Sequence, residues 1–443
     1  MSARAFRAPG GGLLCCLVIL FAVAVDRPVA WAADGQWSNE YQFAPDSGVE
    51  QAAFRQRRRV CPPGWAPAES AAPASPMPST EPAGPLGAIP PSALASAVGV
   101  AEGPSTATPN MIGDSLNNGF GGMRFFGSGI LGPIITPHGA TVGISGGDRR
   151  FKIAQDENPI PTDRVFFNFN HFQNPVMDID GTKRNLDRYT FGLEKTFRDG
   201  LWSFVFRVPF ASGYDATQSI MPGAGLAATE FGDMSLVLKR ILIQRDRLAI
   251  SAGLSTVFPS GDDFRITDNT GTLVEVWNQS VHLGPFVGMV LAPTDRLFFL
   301  GFGQLDFDTV GSTVLMRDGG GTPGSLAKQG VFHDQTRGFL DFTVGYRLYQ
   351  NPCANILTAV TPMVELHYTS TLTDMDYVTG PLGSIGATAG GGTGRRDILN
   401  LTAGLHLQLG ELSSLTFAGV APLTNGLNRE FDSEFLVQFN RRF

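Results

Sequence analysis

Glu365, His367 and His406 come nearest in this sequence to a chemical site by residue type and spacing. Glu365 and His367 stand two residues apart, and carboxylates and imidazoles so placed bind metal ions or transfer protons. A metal ion needs three or four ligands at about 2 Å, and this cluster alone offers itself. Ser, His and Asn placed together would instead form a nucleophile system, but nothing marks one serine as activated. We therefore predict no metal ion, no cofactor and no enzymatic activity, and we keep a hydrolase as an alternative.

The element that carries His406 has a period of two. Leucines and one alanine occupy the odd positions from 399 to 409, while polar or small residues occupy the even positions from 400 to 408. Alternate residues lie on opposite faces of a β-strand, whereas these leucines would spiral around a helix. The pattern predicts a strand with one apolar and one polar face.

Segments of this kind follow one another from residue 164 to the last residue. Each has the roughly 9 to 11 residues, or slightly more, that a tilted strand needs to cross a membrane. We count twelve, an even number, at 164–173, 187–198, 201–211, 230–243, 247–258, 277–292, 296–307, 335–349, 356–370, 397–410, 413–422 and 429–443.

Short and long connections alternate between these segments. Asp199-Gly200 is a short turn, and both residues tolerate the positive φ of a type I′ hairpin turn. Longer links, such as 174–186 and 371–396, fall between the short ones, and Gly-rich stretches at 319–321 and 390–394 predict mobile loops there. Outer-membrane barrels have short periplasmic turns and longer outside loops. The fold class predicted is all-β: an antiparallel up-and-down transmembrane β-barrel of about twelve strands over 161–443, with the termini on the periplasmic side.

The beginning of the chain predicts export. Arg4 and Arg7 precede an apolar run from 13 to 25, and Ala30-Trp31-Ala32 has the small residues of a cleavage site. We predict a signal peptide over 1–32, cleaved near Ala32, and location in the bacterial outer membrane. The apolar run is shorter than the roughly 20 residues of a spanning helix.

Composition separates two further regions. Residues 33–109 include a Pro-, Ala- and Ser-rich stretch that predicts a disordered extension, and 110–160 is a Gly-rich lead-in or plug. After export Cys61 and Cys353 remain, which excludes a disulfide framework and leaves one bridge open. Charged residues make up 16% with a net charge of -7, and no basic stretch interleaved with aromatics predicts a nucleic-acid partner.

The last segment places Phe435, Val437, Phe439 and Phe443 on one face. A terminal Phe after alternating apolar residues resembles the strand by which outer-membrane barrels are recognised for assembly. The predicted partners are therefore the lipid of the outer membrane, the barrel-assembly machinery and a small-molecule solute. Arg441 departs from the pattern where an aromatic residue is usual.

Two stretches carry a family resemblance. The first runs from Phe231-Gly232-Asp233 to Lys239, and the second from Gly253 through Pro259-Ser260-Gly261-Asp262. They resemble strands of the MetA-pathway-of-phenol-degradation family of outer-membrane proteins, in which the second strand ends in Pro-Thr-Gly-Asp; here Ser260 replaces Thr. The resemblance spans about residues 230 to 305 and implies a transporter. Segments beginning at Pro109 and Asp163 also resemble exported proteins of planctomycete-type bacteria.

If the leucine faces meet lipid, the opposite faces line the interior. The residues predicted to line it, as candidate solute contacts, are Asn168, Asn170, Glu194, Arg207, Lys239, His282, Asp341, Arg347, Glu365, His367, His406, Gln408, Glu434, Gln438 and Arg442. A wetted passage of mixed charge predicts a channel or transporter for small solutes, including hydrophobic or aromatic ones. The alternatives are a plugged structural or interaction barrel, in which these groups pair and fill the lumen, an outer-membrane hydrolase, and a soluble β-propeller or sandwich.

Overall fold

The computed structural model describes residues 108–114, 123–126, 149–177, 183–213, 215–219, 229–318, 325–382, 385–390 and 395–443. The predicted signal peptide, and the extension as far as residue 107, lie outside the described residues. None of the described residues belongs to a helix with the length and apolarity to cross a lipid bilayer.

Twelve long strands form one closed antiparallel barrel. Their bounds are β2 Arg164–Met177, β3 Lys183–Phe197, β4 Trp202–Ser212, β7 Met234–Arg245, β8 Leu248–Phe258, β11 His282–Leu291, β12 Leu297–Asp308, β15 Arg337–Tyr346, β17 Leu357–Thr371, β20 Asp397–Leu409, β21 Ser413–Pro422 and β22 Ser433–Arg442. Each pairs with the next in this order, and β2 closes the ring on β22, from Arg164↔Arg442 to Gln173↔Ser433. All twelve predicted strands are confirmed.

The two ends of the barrel differ in their connections. Short turns join the strands at one end, here called the turn end, and Asp199 and Gly200 have φ angles of 58° and 76° in the turn from β3 to β4. A two-residue strand, β16 Tyr349–Gln350, pairs with β17 at this end. The opposite end, with the longer links, is called the loop end. The predicted loop 174–186 is mostly strand, because β2 continues past a bulge where Asn174 has φ 56°.

The outward face of the barrel is apolar. Phe191, Leu401 and Phe439 are exposed by 52%, 36% and 38% of their residue surfaces, and each has a buried neighbour along its strand. Apolar area exposed on this scale around a whole barrel is what a lipid-facing band requires. The leucines of 399–409 point outward, away from the interior, as predicted.

Shorter strands fold the links at the loop end. They are β1 Met123–Phe126, β5 Thr217–Ser219, β6 Thr229–Phe231, β9 Phe264–Asp268, β10 Gly271–Val276, β13 Ser312–Arg317, β14 Leu326–Phe332, β18 Tyr377–Leu382 and β19 Ile385–Gly390. Apart from β6, which pairs with β4, they form a five-stranded sheet, β14-β13-β10-β9-β5, and a three-stranded sheet, β1-β19-β18.

The two loop-end sheets share an apolar core. Ile266, Val274 and Met316 from the first sheet and Val378 and Ala387 from the second are buried in one cluster. The described parts of these links are therefore folded, because their strands bury apolar side chains against each other. Residues 319–324 and 391–394, which hold most of the glycines behind the prediction of mobile loops, lie outside the described residues.

Candidate functional site: the barrel lumen

Two stretches of chain before the first barrel strand lie inside the barrel, and together we call them the luminal segment: residues 108–114 and 149–163. Met111 and Glu157 form an antiparallel bridge between the two stretches. Residues 109 and 110 line a cavity with Leu412 of a short turn, and Asp163 meets Phe443 at the turn end. Arg149 lies against Ser312 at the loop end. The first stretch therefore rises from the turn end, and the second descends from the loop end into β2.

The descending stretch is anchored by Glu157. Its carboxylate is fully buried and lies 3.0 Å from Arg164, 2.7 Å from Arg207 and 2.9 Å from Lys239. These three cations belong to strands β2, β4 and β7 of the wall. A carboxylate that bonds three cations in a buried site has the partners that offset its loss of hydration.

Charges of the opposite sign anchor the segment nearer the loop end. Arg150 lies 3.0 Å from Asp306, and Lys152 lies 2.8 Å from Asp341. Asp306 and Asp341 are wall residues on β12 and β15. The segment therefore presents a basic part to wall carboxylates and an acidic part to wall cations.

Asp334, in the link before β15, is a further carboxylate that pairs with the basic part of the segment. It lies 3.6 Å from Arg149. Burial by itself raises the pKa of the Asp334 carboxyl, but the nearby Arg149 and His282 lower it more, so the pKa falls to about 2. Asp334 therefore carries its negative charge at every pH that the cell envelope meets.

The backbone of the luminal segment is also held by the wall. Both oxygens of Glu365 accept hydrogen bonds at 2.8 Å, from the amides of Ile112 and Gly113, and Gln438 donates to the carbonyl of Ile112 at 2.6 Å. The side chain of Ile112 packs over Gly404, where a Cβ would lie 2.5 Å from its Cδ1. Buried amides need such partners, and here the barrel wall supplies them.

Two small cavities adjoin the segment in the part of the chain that the structure describes. One cavity near the turn end, lined by residues including His406 and Asn440, has a volume of about 20 Å³. A second, beside Phe151 and Arg207, has the same volume. Each has room for about one water molecule, so neither is a passage for a solute in this state.

The residues predicted to line the interior differ in the groups that they contact. Those that contact the luminal segment are Asn168, Asn170, Glu194, Arg207, Lys239, Asp341, Glu365, His367 and Gln438. Glu434 accepts a hydrogen bond from Asn170, and His282 bonds Asp306. Arg347, His406 and Gln408 lie towards the turn end. Arg442 lines the cavity near the turn end.

The sequence shows the charged residues of the luminal segment but does not show which wall residues they pair with. The charge order of the luminal segment, with Arg149, Arg150 and Lys152 before Asp156 and Glu157, was readable in the sequence. Their partners on the wall lie far away in sequence, as the 82 residues between Glu157 and Lys239 illustrate. A pattern of period two shows which way a side chain points and says nothing about what it will meet.

The predicted cluster of Glu365, His367 and His406 is not formed. His406 stands opposite Thr361 across the strand pair, whereas His367 stands opposite Asn400. His367 instead bonds Asp341 at 2.8 Å and Glu365 at 3.1 Å. The register of β17 and β20 therefore separates the two histidines.

Carboxylates near His367 have the separation of metal ligands. Ligand atoms of Asp114, Asp341 and His367 lie within 4.8 Å of one another. The ammonium of Lys152 lies between the two carboxylates, 2.6 Å from Asp114 and 2.8 Å from Asp341. A lysine from the chain therefore holds the position that a cation would take.

A serine, a histidine and an aspartate also come together at the loop end of the barrel. Ser280 lies 3.1 Å from Nε2 of His282, whose Nδ1 lies 2.9 Å from Asp306. These are the distances of a nucleophile, a base and an orienting acid. However, Ser280 and His282 are each only 1% exposed, and the Ser280 hydroxyl also bonds Asp308. A substrate cannot reach this serine in the described state.

Sequence reasoning also overlooked one nucleophile motif. Gly143-Ile144-Ser145-Gly146-Gly147 has the Gly-x-Ser-x-Gly spacing of a nucleophile elbow. It lies outside the described residues. A glycine-rich stretch matches this spacing easily, and the motif needs a strand before it and a helix after it to carry meaning.

The motif residues behind the family resemblance form one hydrogen-bonded cluster at the loop end. One oxygen of Asp233 accepts hydrogen bonds from the amides of Ser260 and Gly261, each at 2.9 Å, and from the side chain of Asn278 at 2.7 Å. These contacts tie the start of β7 to the exit of β8. The Gly-Asp and Pro-Ser-Gly-Asp stretches thus have a structural explanation that is independent of any transported solute.

No protein-family model matches the chain, and no curated protein matches its sequence significantly. Solved structures do match. An outer membrane channel from Pseudomonas putida F1 has 12% identity and a TM-score of 0.41, over 65% of this chain and 97% of the channel. The beta domain of the Bordetella autotransporter BrkA has 13% identity and a TM-score of 0.40, over 64% of this chain and all of that domain.

The Pseudomonas putida toluene transporter TodX is also similar, with 10% identity and a TM-score of 0.33, over 76% of this chain and all of the transporter. A closed antiparallel ring of twelve strands with an apolar outer face and a polar inner face has the architecture of a bacterial outer-membrane β-barrel.

Proposed function

We propose that this chain is an outer-membrane channel for small solutes, closed in the described state by its own luminal segment. One observation carries the proposal: charged groups of the wall are met by a separate stretch of chain. Glu157 of the segment bonds wall cations Arg207 and Lys239, and Lys152 bonds wall carboxylate Asp341. A wall that only filled its own lumen would pair its charges across strands, as Arg164 and Glu194 do at 2.8 Å.

The chemistry of these contacts would allow the luminal segment to leave the lumen and return. Buried ion pairs contribute little net free energy, because their attraction mainly offsets the loss of hydration. If the segment moved, water entering the lumen would hydrate the same wall groups. Movement therefore costs less than extracting charges into lipid, and it would leave a polar passage inside the ring of strands.

The surroundings of the channel belong to the same proposal. We infer export by a signal peptide over 1–32, cleaved near Ala32, and insertion by the barrel-assembly machinery through β22 and Phe443. The short connections at the turn end favour the periplasm for that end. The stretches around Asp233 and Ser260 support kinship with the transporters of the MetA-pathway-of-phenol-degradation family.

Solute uptake by proteoliposomes tests the proposal. Glu157→Gln removes a charge that meets three wall cations. Breaking a buried ion pair from one side costs about 3 kcal/mol, roughly 100-fold in an equilibrium, so the open fraction should rise by up to about that factor. We expect small sugars to enter faster with Glu157→Gln than with the wild type. Glu275→Gln, which removes a partly buried ion pair with Arg265 in the loop-end sheets, is the matched control and should leave uptake unchanged.

The main alternative is a structural barrel that stays plugged, and the filled lumen favours it. In that case neither the wild type nor Glu157→Gln would pass any solute, although both would fold and show heat-modifiable mobility on gels. Uptake that is absent from every folded variant would overturn the channel proposal.

A further inference from the structure

The contacts of the luminal segment point to the chemistry of the solute: we propose that the lumen binds small solutes that carry both a cationic and an anionic group. The cationic group lies nearer the loop end and the anionic group nearer the turn end. This inference rests on the proposed channel function. It treats the luminal segment as an occupant whose charges fit the wall.

The descending stretch of the segment has two charged parts in a fixed order. Arg149, Arg150 and Lys152 come first, and Asp156 and Glu157 follow. Asp114 of the ascending stretch bonds Lys152 at 2.6 Å. Each part bonds wall groups of the opposite sign. An occupant with the reverse order would bring like charges together in a poorly hydrated space, which is strongly unfavourable.

Two carboxylates of the wall near the loop end meet cations of the luminal segment. Asp306 lies two residues before the loop end of β12, and its carboxylate accepts a hydrogen bond from Arg150 at 3.0 Å. Asp341, four residues into β15 from the loop end, meets Lys152. Both carboxylates are almost completely buried. Without the luminal cations they would attract a cationic group from the solute.

The wall from the middle to the turn end is basic. Lys239 is the central charge of β7, Arg207 that of β4, and Arg164 begins β2 at the turn end. Glu194 bonds Arg164 at 2.8 Å and Lys239 at 3.0 Å, so this group of wall residues has more cations than anions. Without Glu157 it would attract a carboxylate or another anion.

This distribution favours dipolar solutes over the other classes. An apolar solute would desolvate charged walls without compensating them. A simple anion would meet Asp306 and Asp341, and a simple cation would meet Arg207 and Lys239. A solute with both groups, such as a short peptide or an amino-acid derivative, fits the whole path.

Block of ionic current in planar bilayers tests the inference with the full chain. Glu157→Gln supplies open channels, and the concentration that halves their current reports binding. The probes are the dipeptide Lys-Glu, lysine amide as a cation, glutarate as an anion and a neutral disaccharide of similar mass. We expect Lys-Glu to half-block at a concentration about tenfold lower than each of the others, the ratio that one added charge contact typically gives.

Variants of the wall show whether the charges are responsible. Asp306→Asn together with Asp341→Asn should remove the advantage of Lys-Glu over glutarate, while Asp268→Asn in the loop-end sheets should keep it. Equal half-blocking concentrations for all four probes through an open channel would overturn the inference and leave the channel function standing. An absence of current from every folded variant would remove both.

Discussion

At the scale of single residues, Asp334 pairs with the charged groups Arg149 and His282 at the loop end. This carboxylate is buried and lies 3.6 Å from Arg149 and 3.4 Å from His282. It therefore links the luminal segment to the first residue of β11. A group with these partners stabilises the fold through its charge, and protonation should remove that contribution.

We predict a specific pH dependence for Asp334→Asn. The pKa of Asp334 is about 2 in the folded chain, against an ordinary 3.8. Since the folded pKa is the lower one, the contribution is complete above about pH 4 and disappears as the pH falls from 3.8 through 2. The wild type should be more stable than the variant by roughly 2 kcal/mol at pH 7.

Unfolding by denaturant in detergent at several pH values measures this difference. It should stay constant between pH 7 and 5 and shrink below pH 4. A difference that is the same at pH 7 and at pH 3 would show that the charge of Asp334 does not stabilise the fold. Asp246→Asn, in an exposed short turn, is the control and should change stability little.

At the scale of elements, close packing holds the two loop-end sheets together. Gly380 of β18 allows the approach, because a Cβ there would lie 2.7 Å from Cγ of Gln329 and 2.8 Å from Sδ of Met316. Met316 is completely buried on β13, and Gln329 lies on the neighbouring β14. A side chain at position 380 therefore needs Gln329 and Met316 to move.

We predict that Gly380→Leu loosens the loop end and leaves the barrel intact. Overpacking of this kind costs about 1 to 3 kcal/mol. Limited proteolysis from outside should cut the loop-end links of the variant faster, while heat-modifiable gel mobility stays that of the wild type. Gly419→Leu, on the outward face of β21 where the nearest atom to a Cβ is 3.8 Å away, is the control. Equal protease resistance of Gly380→Leu and the wild type would contradict the packing described.

The elements also show how far the sequence alone could be interpreted. The barrel strands were predictable because a wall between lipid and a polar interior imposes a period of two over ten or more residues. The short strands β9 and β10 were not, since five or six residues around the Thr270-Gly271 turn carry too little alternation. Their pairing with β5 and β13 depends on residues tens of positions away.

At the scale of the whole molecule, the outward apolar face implies contact with lipid on every side. Leu401, on β20, lies on this face, and Leu423 lies beyond the end of β21 at the loop end. We predict that Leu401→Arg costs about 2 to 4 kcal/mol in vesicles, since a charge on the lipid-facing side is unfavourable there. Leu423→Arg, also on an exposed side chain, should cost less than about 1 kcal/mol near the interface.

Denaturant unfolding in phospholipid vesicles compares the two variants. Equal and small costs would mean that Leu401 meets water, which a soluble propeller or sandwich would require. The direction of such faces could be predicted from the sequence. The luminal contacts could not, because Ile112 meets Glu365 across 253 residues of chain and no local pattern encodes that meeting.

Closure of the barrel by the luminal segment can be probed with a reversible cross-link between the segment and the wall. A Cβ at Gly404 would lie 2.5 Å from Cδ1 of Ile112, so Ile112→Cys with Gly404→Cys places two thiols within bonding reach. Cys353 is already disulfide-bonded, and the chain's other three cysteines lie outside the described residues, so the wild type is treated identically as a control.

The measurement is single-channel current in planar bilayers, first oxidised and then reduced. We predict that the oxidised double variant stays closed, and that reductant restores openings at least as frequent as those of the wild type treated in the same way. Openings of equal frequency and size before and after reduction, with the cross-link verified by mass spectrometry, would show that ions pass without movement of the luminal segment and would contradict the account.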